Sequence, residues 1–182
     1  MKKDRTRQLF ADALLELSKK KSVNKITVKE LSDYCGKSSQ TFYNHFQDKY
    51  ELVLWVHTSV VDKFMKKLEK NEYSFHELVM ENLRFYANHV DFLLNAIKNT
   101  HGQDSYSSRI SENGFYVIAE YIKKKHNIKE LSEHIKIHLR MYSYASTGIY
   151  AYWANQGLQI PIETMAEYLE SALPDSLKSY LL

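Results

Sequence analysis

The stretch KITVKELSDYCGKSSQTFYNHFQDKYEL, Lys25 to Leu52, decides how this chain reads. Thr27 followed three residues later by Glu30 is a capping box: hydroxyl and carboxylate each take a free amide at a helix start, so a helix begins here. Val28, Leu31 and Cys35 form its apolar stripe. Gly36 supplies the backbone freedom for a tight turn, and Ser38 or Ser39 is available to cap the next helix, which runs through about Phe46. On that helix Phe42 and Phe46 are four residues apart and can anchor one face in a core, which leaves Ser39, Gln40, Tyr43 and Asn44 pointing away. Two short helices across a glycine turn, with a preceding helix to pack on, make a helix-turn-helix. Short polar side chains on such a second helix reach base edges in a major groove, while hydroxyls, lysines and amides hold phosphates.

Outward from that stretch the composition predicts an all-α fold. Hydrophobic residues make up 44% and charged residues 26% of 182, and 5 Gly with 2 Pro leave few interruptions for helices. The length suits one large domain or two small ones. A single cysteine, Cys35, has no second thiol for a disulfide or a metal clip; its place on the apolar stripe favours a small buried hydrophobe over a redox sensor, and the expected compartment is a reducing cytoplasm. The N-terminus starts basic, but Asp12 and Glu16 interrupt any apolar export core, and runs such as LVLWV (52–56) fall far short of the ~20 residues that span a bilayer. Residues 1–50 carry 11 Lys and Arg against 6 Asp and Glu, a net +5; the remaining 14 basic and 16 acidic residues give −2. A basic module joined to a near-neutral body suits a polyanion partner for the first part, although an ordinary solvated face carries the same excess.

Phe10, Ala13, Leu14 and Leu17 recur at helical spacing and predict a first helix from about Lys3 to Lys20. Asp48 with Glu51 is another capping-box pair and opens a long helix through Leu68; Ser74 with Glu77 opens the next, and the polar stretch 99–108 reads as a loop. Further helices are expected over about 109–125 and 128–155, with Gly157 closing the latter and Pro161 opening a last helix, eight or nine in all.

The segment TFYNHFQDKYEL, preceded by ITVKELSDYCGKSS, resembles the DNA-binding domain of the tetracycline-repressor-like (TetR) family of bacterial transcription regulators, over residues 5 to about 55. The motif is Thr-Phe-Tyr, one residue, His-Phe, then Lys after two more. The resemblance implies an N-terminal three-helix helix-turn-helix domain (1–48) joined by a long helix to a C-terminal helical ligand-binding and dimerisation domain (49–182). It implies that Thr27, Tyr43, His45 and Lys49 hold backbone phosphates, and that Lys37, Ser38, Ser39, Gln40 and Thr41 form the turn and face that approach bases. Lys37 departs from the small apolar residue that many members carry there. The bland readings stay open: Tyr43 packing on the long helix, the two serines serving only as a cap.

STGIYAYWANQGLQIPIETMAEYLESAL (146–173) also resembles the C-terminal end of a compact TetR-like subset, through Trp153, Gly157, Pro161, Met165 and Leu169. Ala145, Gly148 and Tyr152, with Ile162, Met165 and Leu169, are the expected four-helix homodimer face, the alternative being intramolecular core. Tyr86, His89, Phe92, Tyr116 and Tyr144 are candidates for a ligand cavity, each equally readable as core. Catalytic constellations are missing from the sequence: HELVM at His76 lacks a second histidine, His134 and His138 offer two metal ligands without a third, and there is no glycine-rich phosphate loop, nucleophile elbow or CxxC. No cofactor, metal or membrane is expected. The function expected is a DNA-binding transcription regulator, a repressor acting as a homodimer on a palindromic operator under control of a small ligand. The competing readings are a partner-protein-controlled regulator or activator, and a small helical enzyme or lipid-binding protein with a basic N-terminal bundle.

Overall fold

The computed structural model describes residues 2–100 and 105–182, and every described regular element is helical. The head comprises α1 (Lys2–Ser18), a 3-10 turn (Val23–Lys25), α2 (Val28–Tyr34) and α3 (Ser39–Tyr43). The body is entered through α4 (Lys49–Glu69), followed by α5 (Phe75–Asn88), α6 (Val90–Lys98), α7 (Tyr106–Lys125), α8 (Glu133–Asn155), α9 (Ile162–Ser171) and α10 (Asp175–Leu181).

Local chemistry sets most of these ends. The Thr27/Glu30 and Ser74/Glu77 capping boxes form as the sequence predicts. At α4 the Asp48 carboxylate accepts from the amides of Tyr50 and Glu51, but Glu51 reaches one residue further back, to the amide of Gln47, so the box is not closed. Gly36 (φ 60°) ends α2 with the amide of Lys37 bonded to the Ser32 carbonyl and its own amide to Asp33, and Gly157 (φ 70°) repeats this pattern after α8.

Several expectations need correction. The segment begun at Ser74 is not one helix: the backbone breaks at His89 (φ −129°, ψ 38°) and restarts as α6. Helix α8 starts at Glu133 rather than 128, because Asn127 (φ 53°) turns the chain out of α7 and Ser132 caps the new start. Pro161 does not open the last helix, since Pro174 opens α10 in the same way, giving ten α-helices among the described residues. Gly102, inside the expected loop, lies outside the described residues.

Helix α1 packs on α2, α4 and α6, while α7 lies along α8 and α4, and α9 packs on α5. One apolar cluster runs from Phe10 in the head to Leu181 at the end of α10. Trp153 locks the α8–α9 turn by donating its indole N–H to the Ile160 carbonyl (2.8 Å). No described helix is long and apolar enough to cross a membrane.

Candidate nucleic-acid interface and body cavity

The outward face of α3 exists because its inward face is fixed. Phe10 meets Phe42 edge to face at 5.2 Å and Phe46 at 6.4 Å, and Phe46 packs in turn on Trp55 of α4 (5.9 Å). Arg7 stacks over the Phe46 ring and donates to the His45 carbonyl (3.1 Å), which ties the chain beyond α3 back to α1. With Phe42 fully buried, Gln40, Tyr43 and Asn44 face solvent, and Tyr43 is 55% exposed. Gln40 donates its side-chain amide to Asn44 Oδ1 (3.2 Å), so two amide side chains present one patch of donors and acceptors. Ser38 caps α3 by accepting the Thr41 amide, and Lys37 is exposed beside it; Ser39, Thr41 and His45 are half-buried.

Two proposed phosphate contacts are engaged within the chain. The Lys49 ammonium donates to the carbonyls of Asn24 (2.6 Å) and Ile26 (3.0 Å), holding the turn before α2 against the start of α4, and desolvation lowers its pKa. The Thr27 hydroxyl accepts from the Glu30 amide (3.2 Å) and bonds the Glu30 carboxylate (2.9 Å).

A second feature lies in the body. Helices α4, α5, α7 and α8 line a partly open cavity of roughly 80 Å³. Its lining includes His57, Val61 and Met65 of α4, Asn82 and Tyr86 of α5, Ile110 and Gly114 of α7, and Ser143, Ser146, Thr147 and Tyr150 of α8. No lining residue is Asp, Glu, Lys or Arg. His57 and Tyr86 share a hydrogen bond (Nδ1 to OH, 2.6 Å) with rings stacked at 5.8 Å, and burial pushes the imidazole pKa down to about 4. The Ser143 hydroxyl is buried with no hydrogen-bond partner; those of Ser146 and the Asn82 carbonyl lie near the phenols of Tyr142 and Tyr150 without a hydrogen bond of normal geometry.

Of the five ligand candidates, only Tyr86 lines this cavity. His89 opens onto a groove between α1, α4 and α5, and Phe92 is buried against Tyr106 (6.1 Å). Tyr116 and Tyr144 are on the surface, where Tyr144 donates to Glu112 (2.8 Å). The polar lining is spelled in SYASTGIY (143–150): Ser143, Ser146, Thr147 and Tyr150 fall at i, i+3, i+4, i+7 on the inward face of α8. Among the expected dimer residues Ala145, Gly148 and Tyr152 are exposed, Ile162 is half-buried, and Met165 and Leu169 are core of the protomer itself. The outward turn of α9 is instead marked by Tyr168, 57% exposed. Cys35 is half-buried, its thiol bonded to the Leu9 carbonyl and its pKa raised by burial. His138 bonds Ser176 (2.6 Å) and His76 pairs with Glu170 (3.1 Å); no group of three potential metal ligands occurs among the described residues.

The fold matches solved structures at low sequence identity. The "Dihydroxyacetone kinase operon activator DhaS" superposes with a TM-score of 0.67 at 17% identity, covering 97% of this chain and 98% of that one. A TetR transcriptional regulator from Rhodococcus sp. RHA1 gives 0.67 at 18%, covering 96% and 99%. Thermus thermophilus FadR, a TetR-family repressor in complex with lauroyl-CoA, gives 0.62 at 17%, covering 92% of each. No curated protein matches the sequence. The family model described as "Bacterial regulatory proteins, tetR family" matches residues 9–56, and that described as "Transcriptional regulator C-terminal region" matches residues 73–175. With the helix-turn-helix at one end and a matched regulator body over more than half its length, the chain belongs to the TetR family of DNA-binding transcriptional regulators.

Proposed function

We propose that this regulator binds a palindromic operator as a homodimer, represses from it, and is released or retained by a small ligand held in the body cavity. The observation that carries the reading is the α3 face: Gln40, Tyr43 and Asn44 stand outward on a helix whose other side is locked by Phe10, Phe42 and Phe46. Gln40, with Lys37, Ser38, Ser39 and Thr41 around it, approaches bases, and Tyr43 and His45 hold phosphates. Thr27 and Lys49 act first as positioning residues, because their polar atoms hold the α2 start and its preceding turn. The head is taken as residues 1–48 and the controlling body as 49–182. The protein works in the cytoplasm, without catalysis of its own.

Dimerisation is supported by the surface of α8. Ile137, Met141, Tyr144, Ala145, Gly148 and Tyr152 are all exposed and recur at helical spacing, an apolar stripe about four turns long. A Cβ built on Gly148 would meet nothing within 4 Å, so the stripe has a gap where another helix can come close. Tyr168 of α9 extends the same surface type.

Control reaches the head by two routes. Helix α4 runs from the cavity residue His57 back to Trp55, which touches Phe46. Helix α6 grips the head directly: Asn95 donates to the Ser18 carbonyl (3.1 Å), and Asn24 donates to Asn99 (2.9 Å). A ligand shifts operator affinity only as far as it prefers one head arrangement, and couplings of about 1–3 kcal/mol correspond to about 5- to 150-fold. Selection from random duplexes tests the reading. An inverted repeat bound by two protomers is expected, with half-sites about one turn, ~34–36 Å, apart or at a related spacing. A single asymmetric half-site bound by a monomer would remove the dimer from the account.

A further inference from the structure

The cavity's lining specifies the chemistry of its occupant more narrowly than ligand control by itself. This step rests on the reading of the body as a ligand-controlled unit. We propose that the effector is a small, uncharged molecule of about three to six heavy atoms that carries hydroxyl or carbonyl groups, of the class of short diols and hydroxyketones.

Three observations lead there. Size comes first: roughly 80 Å³ is about half the ~150 Å³ that accommodates a benzene ring in an engineered cavity, and about the share of two to three waters. Charge comes second: with no Asp, Glu, Lys or Arg in the lining, a carboxylate, phosphate or ammonium would be buried without a counter-ion, which is costly. Third is the arrangement of polar atoms. The Ser143 hydroxyl of α8 is more than nine-tenths buried, lines the cavity and has no partner, while the Ser146 hydroxyl faces the Tyr142 phenol and the Asn82 carbonyl of α5 faces that of Tyr150. Val61, Met65 and Ile110 add carbon to the lining. Buried polar groups in native proteins are nearly always paired, so the unpaired Ser143 hydroxyl in the lining points to a partner that arrives with its own donor or acceptor. A lining of carbon and neutral polar groups that holds an unpaired hydroxyl suits a short diol or hydroxyketone better than either a hydrocarbon or an ion.

Gly114 supplies the control. A Cβ there would stand 3.6 Å from the Ser143 hydroxyl, ordinary contact, so Gly114→Ala is sterically tolerated while it narrows the space beside that hydroxyl. Thermal shift and operator binding are measured with 1,2-propanediol, 2,3-butanediol and hydroxyacetone. Lactate serves as the charged twin of propanediol, and lauric acid and lauroyl-CoA as long-chain probes. The expected result is a saturable Tm rise with at least one neutral probe in the millimolar range, none with lactate, and an altered operator affinity in the same mixtures. Gly114→Ala and Ser143→Ala, folded as judged by their own melting transitions, should each weaken that probe about fivefold or more. Stabilisation by lactate equal to that by propanediol, or identical responses of wild type and both variants, would overturn the assignment. A long-chain probe that alone alters operator binding would overturn the class while leaving ligand control standing. Failure of every probe to alter operator binding would overturn both, and an inverted repeat still bound would leave the DNA reading intact.

Discussion

The head and the body fill their interiors with different materials. In the head, Phe10, Phe42 and Phe46 close on one another at 5.2 to 6.4 Å, and α2 and α3 are capped by surface hydroxyls that accept backbone amides. In the body, a histidine, several phenols and the hydroxyls of α8 are buried around a void. A dry aromatic core has one good packing and holds α3 in one orientation, as a groove-reading element requires. A polar-lined cavity between four helices can be repacked, and a ligand that binds it stabilises the arrangement it prefers. The comparison assigns rigidity to the part that reads DNA and responsiveness to the part that controls it.

The largest predicted effect breaks the head. Phe42→Ala removes the ring that both neighbours touch and should cost about 3–5 kcal/mol by chemical denaturation, with DNA binding lost. Amide exchange should accelerate in α1 to α3 well before α5 to α9. Equal acceleration throughout would mean that head and body do not differ in the way described.

The next effect belongs to the body and depends on pH. His57 titrates near 6.5 when unfolded and at about 4 when folded, so the unfolded chain binds the extra proton as pH falls between those values. Stability is therefore full above pH 6.5 and declines by about 3 kcal/mol on acidification to pH 4. Urea titrations at pH 7.5 and 4.5 should show a larger loss in wild type than in His57→Gln; parallel losses would exclude His57 as the source.

The smallest effects have opposite signs. Thr27→Ala removes a helix cap with both of its hydrogen bonds made and should cost about 1 kcal/mol. Ser143→Ala removes a buried hydroxyl that has none, and should be neutral or stabilising by up to about 1 kcal/mol. A loss at Ser143 as large as at Thr27 would show that its hydroxyl is satisfied in solution by something other than the protein.

The head was legible in the sequence because its structure is local. Thr27 with Glu30, Gly36, Ser38 and the Phe42/Phe46 pair each specify a cap, turn or face within a few residues, and all form. The body's site was not legible because it is assembled from four helices. Aromatic residues such as Tyr116 and Tyr144 suit a ligand cavity by type, but the fold turns them outward, while the Ser143, Ser146 and Thr147 stripe that does line the cavity looks like ordinary helix surface until α5 and α7 cover it. Lys49 is a third case: the family resemblance implies a phosphate contact, but its ammonium bonds the carbonyls of a turn 23 and 25 residues earlier. At α9, Met165 and Leu169 were placed outward where contact with α5 turns that face inward.

The central claim, that α3 reads DNA with Gln40 on bases and Tyr43 on the backbone, is tested most directly by affinities at one salt concentration for the selected operator and for a scrambled duplex, in wild type, Gln40→Ala and Tyr43→Phe. Gln40→Ala should reduce the operator-to-scrambled ratio, by about 1–3 kcal/mol for one lost base contact, and leave scrambled binding nearly unchanged. Tyr43→Phe should weaken both duplexes alike and preserve the ratio. Unchanged affinities and an unchanged ratio in both variants, with the fold intact by circular dichroism, would contradict the assignment of α3 as the reading helix.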